Sequence, residues 1–492
     1  MTPSERTAPA DSNALHALLE SCVPAAMART GVPGVAVGVR VGSDEVALGY
    51  GVTSVEDPLP VHDQTLFQIG SVSKTFTATA VMVLVERGRL SLDDPVCRHL
   101  PKFRLLGRDI AKQVTVRHLL THTAGFVGDW FLVHPLAPEE NGSSIARQVD
   151  RLSAVPQLFS PGTGWSYNNA GFAVAGRIIE VLTGQPFAAA LRDLVLGPLQ
   201  LQHTFTSADE AITHRVAMPH TSRTSPARLL RGAGWQPGWE LVRAEVPLGG
   251  LISSVRDLLG WARFHLGQKT GSATESDAPL ARATISRMQS PLAPAGGFAD
   301  QVGVAWMLRE VGRRRLVGHG GLTTGYGTAF TLVPDANTAV VVLTNATPGG
   351  TWLARDVTRE ILRETIGLDD APPAPVLGLG GDGEEYAGRY DNPFAVQEIV
   401  PAAPARELVL RHHPHPPEPG RWAPPPPGPI RLAFYAPDRV VALEPPDQAS
   451  LRGKFGRDVG GRVVWFRWGG RVAPRLITDR RSSDRSGGTR TR

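Results

Sequence analysis

The sequence predicts an α+β domain followed by a small β domain. Three observations carry this. Strand patterns open and close residues 12–368 while helical patterns fill the middle, which suggests a sheet joining both ends of that segment. Composition then shifts to a Pro/Gly linker over residues 369–383 (DDAPPAPVLGLGGDG). Beyond it, residues 384–478 hold only short strand-like pieces.

Taken in order, Asn13–Ala28 reads as an amphipathic helix with Leu15, Leu18, Leu19 and Cys22 on one stripe. Val35–Val41 and Val46–Val52 read as strands around a Gly42–Ser43–Asp44 turn. Ser71–Gly88 is helical and apolar on nearly every side, the mark of a buried helix. Helical patterns recur at Val116–Thr121, Ser144–Val155, Ala170–Leu182, Ala188–Val195, Val255–Leu266 and Ala281–Met288. Strands return at Val302–Glu310, Gly325–Val333 and Thr338–Leu343, the last two joined by a Pro334–Asn337 hairpin turn. A final helix covers Leu353–Thr365. After the linker, strands are expected at Val396–Val400, Glu407–Leu410, Ile430–Tyr435, Arg439–Leu443 and Val463–Trp468. Pro414–Pro429 reads as a spacer loop, and the Arg-rich tail, residues 479–492, is expected to be disordered.

Composition narrows the function. The net charge of +5 suggests nucleic acid, but Arg480–Arg492 alone carries +4, leaving a nearly neutral body with no reason to attract phosphate. No apolar run reaches the ~18–20 residues of a membrane span. The two cysteines, Cys22 and Cys97, make no disulfide framework, and free thiols fit a reducing compartment. Met1–Ala10 has no basic stretch leading into an apolar one, so no secretory signal is read and a cytoplasmic enzyme is expected.

Ser71-Val72-Ser73-Lys74 opens the buried helix. A serine hydroxyl is a poor nucleophile until a base takes its proton, and the first turn of a helix favours a developing oxyanion. Lys74, three residues on, shares a face with Ser71, and a desolvated lysine can lose its proton near neutral pH. The plain structural alternative is a capping Ser with a first-turn Lys. A first-turn lysine is opposed by the helix dipole, however, and this helix is too apolar to offer a solvated face. Tyr167-Asn168-Asn169 follows a Pro161–Gly164 turn and precedes a helix. A tyrosine there can relay a proton to a leaving group and Asn169 can hold a substrate amide, though both also serve as helix-start packing and cap. His319-Gly320-Gly321 precedes a strand, where glycines let a substrate lie along the edge. Tyr390-Asp391-Asn392, Lys269-Thr270-Gly271 and His265-Leu266-Gly267 imitate these patterns in the wrong contexts. His118 and His122 have i, i+4 spacing without a glutamate between them, so no zinc or other metal site is expected. There is no G-x-S-x-G elbow or phosphate loop.

In this order, with 96 residues from Ser71 to Tyr167 and 152 from there to His319, the motifs resemble the serine β-lactamase and penicillin-binding-protein superfamily. The likeness is to its class C-like branch of esterases, D-aminopeptidases and related hydrolases. It covers residues 12–367 and includes FQIGSVSK, TVRHLLTHTAG, GGLISSVRD and GHGG. It implies a β-lactamase/DD-peptidase-like domain, an antiparallel sheet plus a helical region, working without a cofactor. It implies Ser71 as nucleophile, Lys74 as base, Tyr167 in proton transfer, and Asn169 and His319 on substrate. The backbone N–H groups of Ser71 and Leu322, beside Gly320 and Gly321, would form the oxyanion hole. His319 replaces the lysine of true class C β-lactamases, which turns the expectation from penicillins toward other acyl substrates. Residues 385–476 resemble the lipocalin-like barrel that some members carry.

The function this implies is acyl transfer through acyl-Ser71, hydrolysing small esters or D-residue peptides. The layout is also similar to penicillin-binding-protein-type thioesterases, which release and cyclise nonribosomal peptides. The partner would then be a carrier protein bearing a peptidyl thioester. A catalytically silent binding module is the alternative of another class, and a degenerate copy would usually have lost Lys74 or Tyr167.

Overall fold

A computed structural model describes residues 11–107, 109–130, 145–222, 227–230, 243–268, 278–376, 378–402, 407–416, 428–444 and 451–476. The chain divides into two compact units between Pro372 and Pro373. In the first unit, chain order gives strands β1 (Gly34–Val41), β2 (Asp44–Gly51), and the short β3 (Phe67–Gln68), β4 (Thr204–Phe205) and β5 (Ile252–Ser253). Then come β6 (Ala293–Pro294), β7 (Gln301–Val302), β8 (Met307–Val311), β9 (Arg314–Thr323), β10 (Tyr326–Val333) and β11 (Thr338–Thr344). The large sheet runs β2-β1-β11-β10-β9-β8-β7-β6, antiparallel throughout. The N-terminal hairpin thus pairs with the last strand of the unit, Val37 opposite Val342, and the sheet does join both ends of the segment.

The helices that matter to the site are α1 (Ser12–Thr30), α2 (Ser73–Glu86), α3 (Val116–Leu120), α4 (Asn169–Thr183), α5 (Val246–Gly249), α6 (Val255–His265) and α7 (Gly349–Ile366). Alternation along the central strands feeds two cores. Val35, Val37, Val39, Val340 and Val342 pack with Leu15 and Leu19 of α1 and with Leu353, Val357 and Ile361 of α7. Ala36, Val341 and Leu343 face the opposite core with α2, α4 and α6. Each of these Val, Leu and Ile side chains contributes about 1.5–3 kcal/mol when fully buried. Among the described residues no helix is long and apolar enough to cross a membrane.

Two expectations change. The strand expected over Val302–Glu310 is two, β7 and β8. Gly303 N–H bonds the Trp306 carbonyl at 2.8 Å and Ala305 takes a φ of +64°, which turns Trp306 fully inward. His319-Gly320-Gly321 precedes β10, as expected, but itself lies inside a strand that was not expected, β9, which β8 pairs over Arg314–Gly318 and β10 over Val317–Thr323.

The second unit is an eight-stranded antiparallel meander: β12 (Gly388–Asp391), β13 (Ala395–Ala402), β14 (Glu407–Pro414), β15 (Ile430–Ala436), β16 (Arg439–Glu444), β17 (Arg452–Arg457), β18 (Val463–Trp468) and β19 (Arg471–Pro474). A Tyr390–Arg475 bridge and the Leu476 N–H to Arg389 carbonyl bond bring the last strand back to the first, making a nearly closed barrel. Tyr386, Tyr390, Phe434, Phe455 and Phe466 fill its interior. Tyr390 is fully buried with its hydroxyl donating to the Tyr386 carbonyl at 2.7 Å, so the second Tyr-x-Asn is barrel core. Lys269-Thr270-Gly271, most of the Pro-rich loop and the Arg-rich tail lie outside the described residues.

Candidate active site

Ser71 sits in a 3-10 turn, Gly70–Val72, that leads directly into α2. Gly70 takes a φ of +52°, a conformation glycine adopts without strain. The turn and α2 are gripped by the segment through α5. Ile69 N–H bonds the Leu251 carbonyl at 3.0 Å, and the Leu251 N–H bonds Ser73 Oγ at 3.0 Å. Thr77 Oγ1 donates to the Pro247 carbonyl at 2.6 Å. β5 continues this grip by pairing with β3, the strand that enters the turn. The stretch GGLISSVRD therefore positions the serine through the backbone before it and through Ser73.

Lys74 is fully buried. Its Nζ lies 2.9 Å from Ser71 Oγ and also donates to the Leu248 carbonyl. Nζ stands 5.1 Å from the Tyr167 ring centroid and 5.6 Å from that of Phe172. A buried amine against a hydroxyl, with an aromatic hydroxyl-bearing ring beside it, can exchange protons with that hydroxyl.

The Tyr167 segment is held from its middle residue. Asn168 caps α4, its Oδ1 accepting from the Gly171 N–H at 2.8 Å, and its Nδ2 donates to the Phe126 carbonyl at 2.9 Å. The Asn168 N–H bonds His122 Nδ1 at 2.9 Å. His122, at a φ of +59°, stacks its ring on Tyr167 with centroids 4.4 Å apart. His118 instead joins a capping box with Thr115 at the start of α3. The two histidines are thus spent on cap and stack, and among the described residues no three His, Cys, Asp or Glu side chains group to hold a metal ion. Asn169 is buried, donates Nδ2 to the Asp129 carboxylate, and leaves Oδ1 without a hydrogen-bond partner among the described residues.

His319 is buried, its ring 6.0 Å from that of Tyr167. Nδ1–H donates to the Gly320 carbonyl at 2.6 Å, so Nε2 carries the lone pair. Nε2 is buried and unpartnered among the described residues. Burial, reinforced by the charge of Lys74 whenever that amine is protonated, pushes the ring pKa down to about 3, so this is a neutral acceptor at working pH. The glycines after it allow backbone contact with the serine turn. A Cβ on Gly321 would stand 2.0 Å from the Ile69 carbonyl oxygen, and one on Gly70 would stand 2.5 Å from the Leu322 nitrogen. The Leu322 side chain meanwhile points away, 61% exposed. β8 pairs with β9 only as far as Gly318, so beyond it that edge carries no strand among the described residues. An extended substrate can lie there.

Ser71, Lys74, Tyr167 and His319 form one chain of neighbours, with Gly321 and Leu322 against the serine turn. Asn169 lies two residues beyond Tyr167 and is held from the other side by Asp129. Sequence reasoning missed the Leu248 carbonyl, Asp129, and the aromatic neighbours of Tyr167. Its ring lies 4.4 Å from His122 and 5.9 Å from Phe298, whose own ring stacks on Trp165 at 5.9 Å. The signal for His122 was its place in TVRHLLTHTAG, one of the stretches that carry the resemblance.

The Beta-lactamase family profile matches residues 19–362. Penicillin-binding protein 4 of Amycolatopsis lactamdurans is 34% identical over 373 residues, covering 73% of this chain and 93% of that protein. Esterase EstB of Burkholderia gladioli is 36% identical over 236 residues, covering 45% of this chain and 59% of that one. Among solved structures, SurE aligns with a TM-score of 0.72 at 27% identity, covering 95% of this chain and 99% of that chain. SurE with D-Leu gives 0.70 at 26%, covering 95% and 100%.

Proposed function

The chain belongs to the beta-lactamase family and is a serine hydrolase of that class, and from this premise we propose that it transfers the acyl group of peptide esters or thioesters ending in a D-residue. The observation that carries the reading is the fully buried Lys74 amine 2.9 Å from Ser71 Oγ. Lys74 takes the hydroxyl proton as Oγ attacks the carbonyl carbon. The backbone N–H groups of Ser71 and Leu322 receive the oxyanion. Tyr167 passes a proton to the departing oxygen, sulfur or nitrogen, and the acyl group remains on Ser71. Asn169 Oδ1 and His319 Nε2 accept from substrate N–H groups. Water then restores the enzyme and yields the acid.

The D-configuration rests on SurE with D-Leu, a likeness that spans both units of this chain. The same two-unit layout favours a second reading, in which the peptide's own amine attacks acyl-Ser71 and a carrier-bound thioester is released as a ring. The likeness to an esterase, EstB, favours ester hydrolysis, but that match covers less than half of this chain.

Intact-mass spectrometry with a peptidyl N-acetylcysteamine thioester ending in D-Leu tests the proposal. The expected result is a peptidyl adduct on the parent and none on Ser71→Ala, with the L-Leu epimer much slower. An adduct that survives Ser71→Ala, or equal use of both epimers, overturns it. Linear acid as the sole product rejects cyclisation alone.

A further inference from the structure

A solvent-facing aromatic side chain stands beside the catalytic group without an assigned task. Phe298 is 38% exposed, yet its ring packs 5.9 Å from Trp165 at 27° and 5.9 Å from Tyr167 at 51°. It rides the loop between β6 and β7. Gly296 and Gly297, at φ of +41° and +107°, turn the chain back toward the site just before it. The loop is pinned at its base. Ala295 and Ala299 are buried against Trp165 and Tyr167. Asp300 N–H bonds the Leu308 carbonyl at 3.0 Å, and Asp300 Oδ2 accepts from the Glu310 N–H at 2.9 Å. An aromatic ring held this way loses little entropy when a ligand covers its open face.

The place of that ring decides what it touches. In the reaction proposed above, Ser71 Oγ and the Leu322 N–H bracket the acyl carbon and its oxygen. Tyr167 lies beyond Lys74, and in the reaction proposed above it faces the departing atom. Phe298 is packed on Tyr167, so it borders whatever that atom carries rather than the acyl chain.

We infer that Phe298, backed by the buried Trp165, forms a subsite for flat, apolar groups on the leaving side of the scissile bond. By microscopic reversibility the same subsite receives the acceptor during deacylation, so amines bearing an aryl or bulky alkyl group fit it best. The inference rests on the acyl-Ser71 reading.

The test compares ethyl and 2-phenylethyl esters of one acyl group, whose alkoxides leave about equally well. The parent is expected to favour the phenylethyl ester by about tenfold in kcat/KM, the scale of one apolar contact. Phe298→Ala is expected to bring that ratio to about two or less, and Phe298→Trp to retain it. The ratio between two acyl groups on a common leaving group stays unchanged in Phe298→Ala. Partition of acyl-enzyme to 2-phenylethylamine over water falls in the same variant. Because Phe298 is partly exposed, its truncation is expected to leave folding intact, which the thermal midpoint checks. A phenylethyl preference that survives Phe298→Ala, or an acyl-side ratio that moves instead, overturns this inference while Ser71→Ala remains inactive. Activity that survives Ser71→Ala overturns the acyl-Ser71 reading and the subsite with it.

Discussion

Adjacent glycines of one motif carry opposite expectations. A methyl group on Gly321 would stand 2.0 Å from the Ile69 carbonyl oxygen and 3.1 Å from Thr328 Cβ. The first contact is backbone, with no side chain to swing aside, so β9 and the serine turn must part by about 1 Å before it becomes tolerable. The amide at the contact is that of Leu322, the proposed oxyanion donor. Displacing such a donor by about 1 Å forfeits its hydrogen bond, and losing one costs about 10²–10³ in kcat, or ~2.7–4 kcal/mol. A methyl on Gly320 would meet only the Thr328 carbonyl, at an ordinary 3.7 Å. Gly321→Ala is therefore expected to lower kcat on a chromogenic ester by about 100-fold or more, while Gly320→Ala stays within about threefold of the parent. Thermal midpoints close to the parent's are the check that both variants are folded before their kinetics are compared. A folded Gly321→Ala enzyme within about threefold of the parent refutes the reasoning, as does an equal fall for both variants.

Lys74→Met fills the volume of the lysine without its amine. Acylation is expected to fall by about 10²–10⁴ in stopped-flow burst kinetics, with far-UV circular dichroism unchanged. Asp129→Ala frees Asn169 Nδ2 from its carboxylate, so KM for amide-bearing substrates is expected to rise while KM for simple esters holds. His265 and His319 are both pushed down to about 3 by burial, so the folded protein keeps them neutral while the unfolded chain protonates near 6.5. The unfolded state binds more protons between those values, so stability falls as pH drops from about 6.5 toward 3. Urea midpoints across that window should decline, less steeply in His265→Gln. The acid limb of kcat/KM should be the same in His319→Gln as in the parent.

What the sequence disclosed follows from how far apart the interacting residues lie. The α+β class and the sheet that unites its ends were legible because Val35–Val41 and Thr338–Leu343 carry their burial in their own alternation. The Ser71–Lys74 spacing was legible because one helical turn fixes it. β9 was not read as a strand, because Gly318, Gly320 and Gly321 weaken its propensity and only cross-strand pairing with β10 and β8 restores it. β17 was missed for the same reason, and its repair is visible. A Cβ on Gly456 would fall 1.8 Å from the Trp465 ring, and one on Gly453 2.9 Å from that of Phe466. Aromatic rings on β18 thus cover the glycines that look like breaks.

The same distinction orders the site. The groups proposed to do chemistry sit in short motifs, whereas the groups that aim them come from far along the chain. The Leu248 carbonyl that fixes Lys74 is a backbone atom and leaves no residue-type signature. His122 reaches Tyr167 because a residue at a φ of +59° turns its ring onto a segment 45 positions later, a placement no local pattern encodes. Phe298 is legible only once β6 and β7 are known to be a hairpin. Substitutions in GGLISSVRD and TVRHLLTHTAG should therefore lower kcat without touching substrate, because these stretches set the Ser71–Lys74–Tyr167 geometry. A shift of about 1 Å there is enough to cost on the order of 100-fold. Substitutions around residues 295–300 should instead redistribute kcat/KM among leaving groups. Paired kinetics on the two sets separate aim from selection, and a loop variant that lowers kcat uniformly for every ester would break the division.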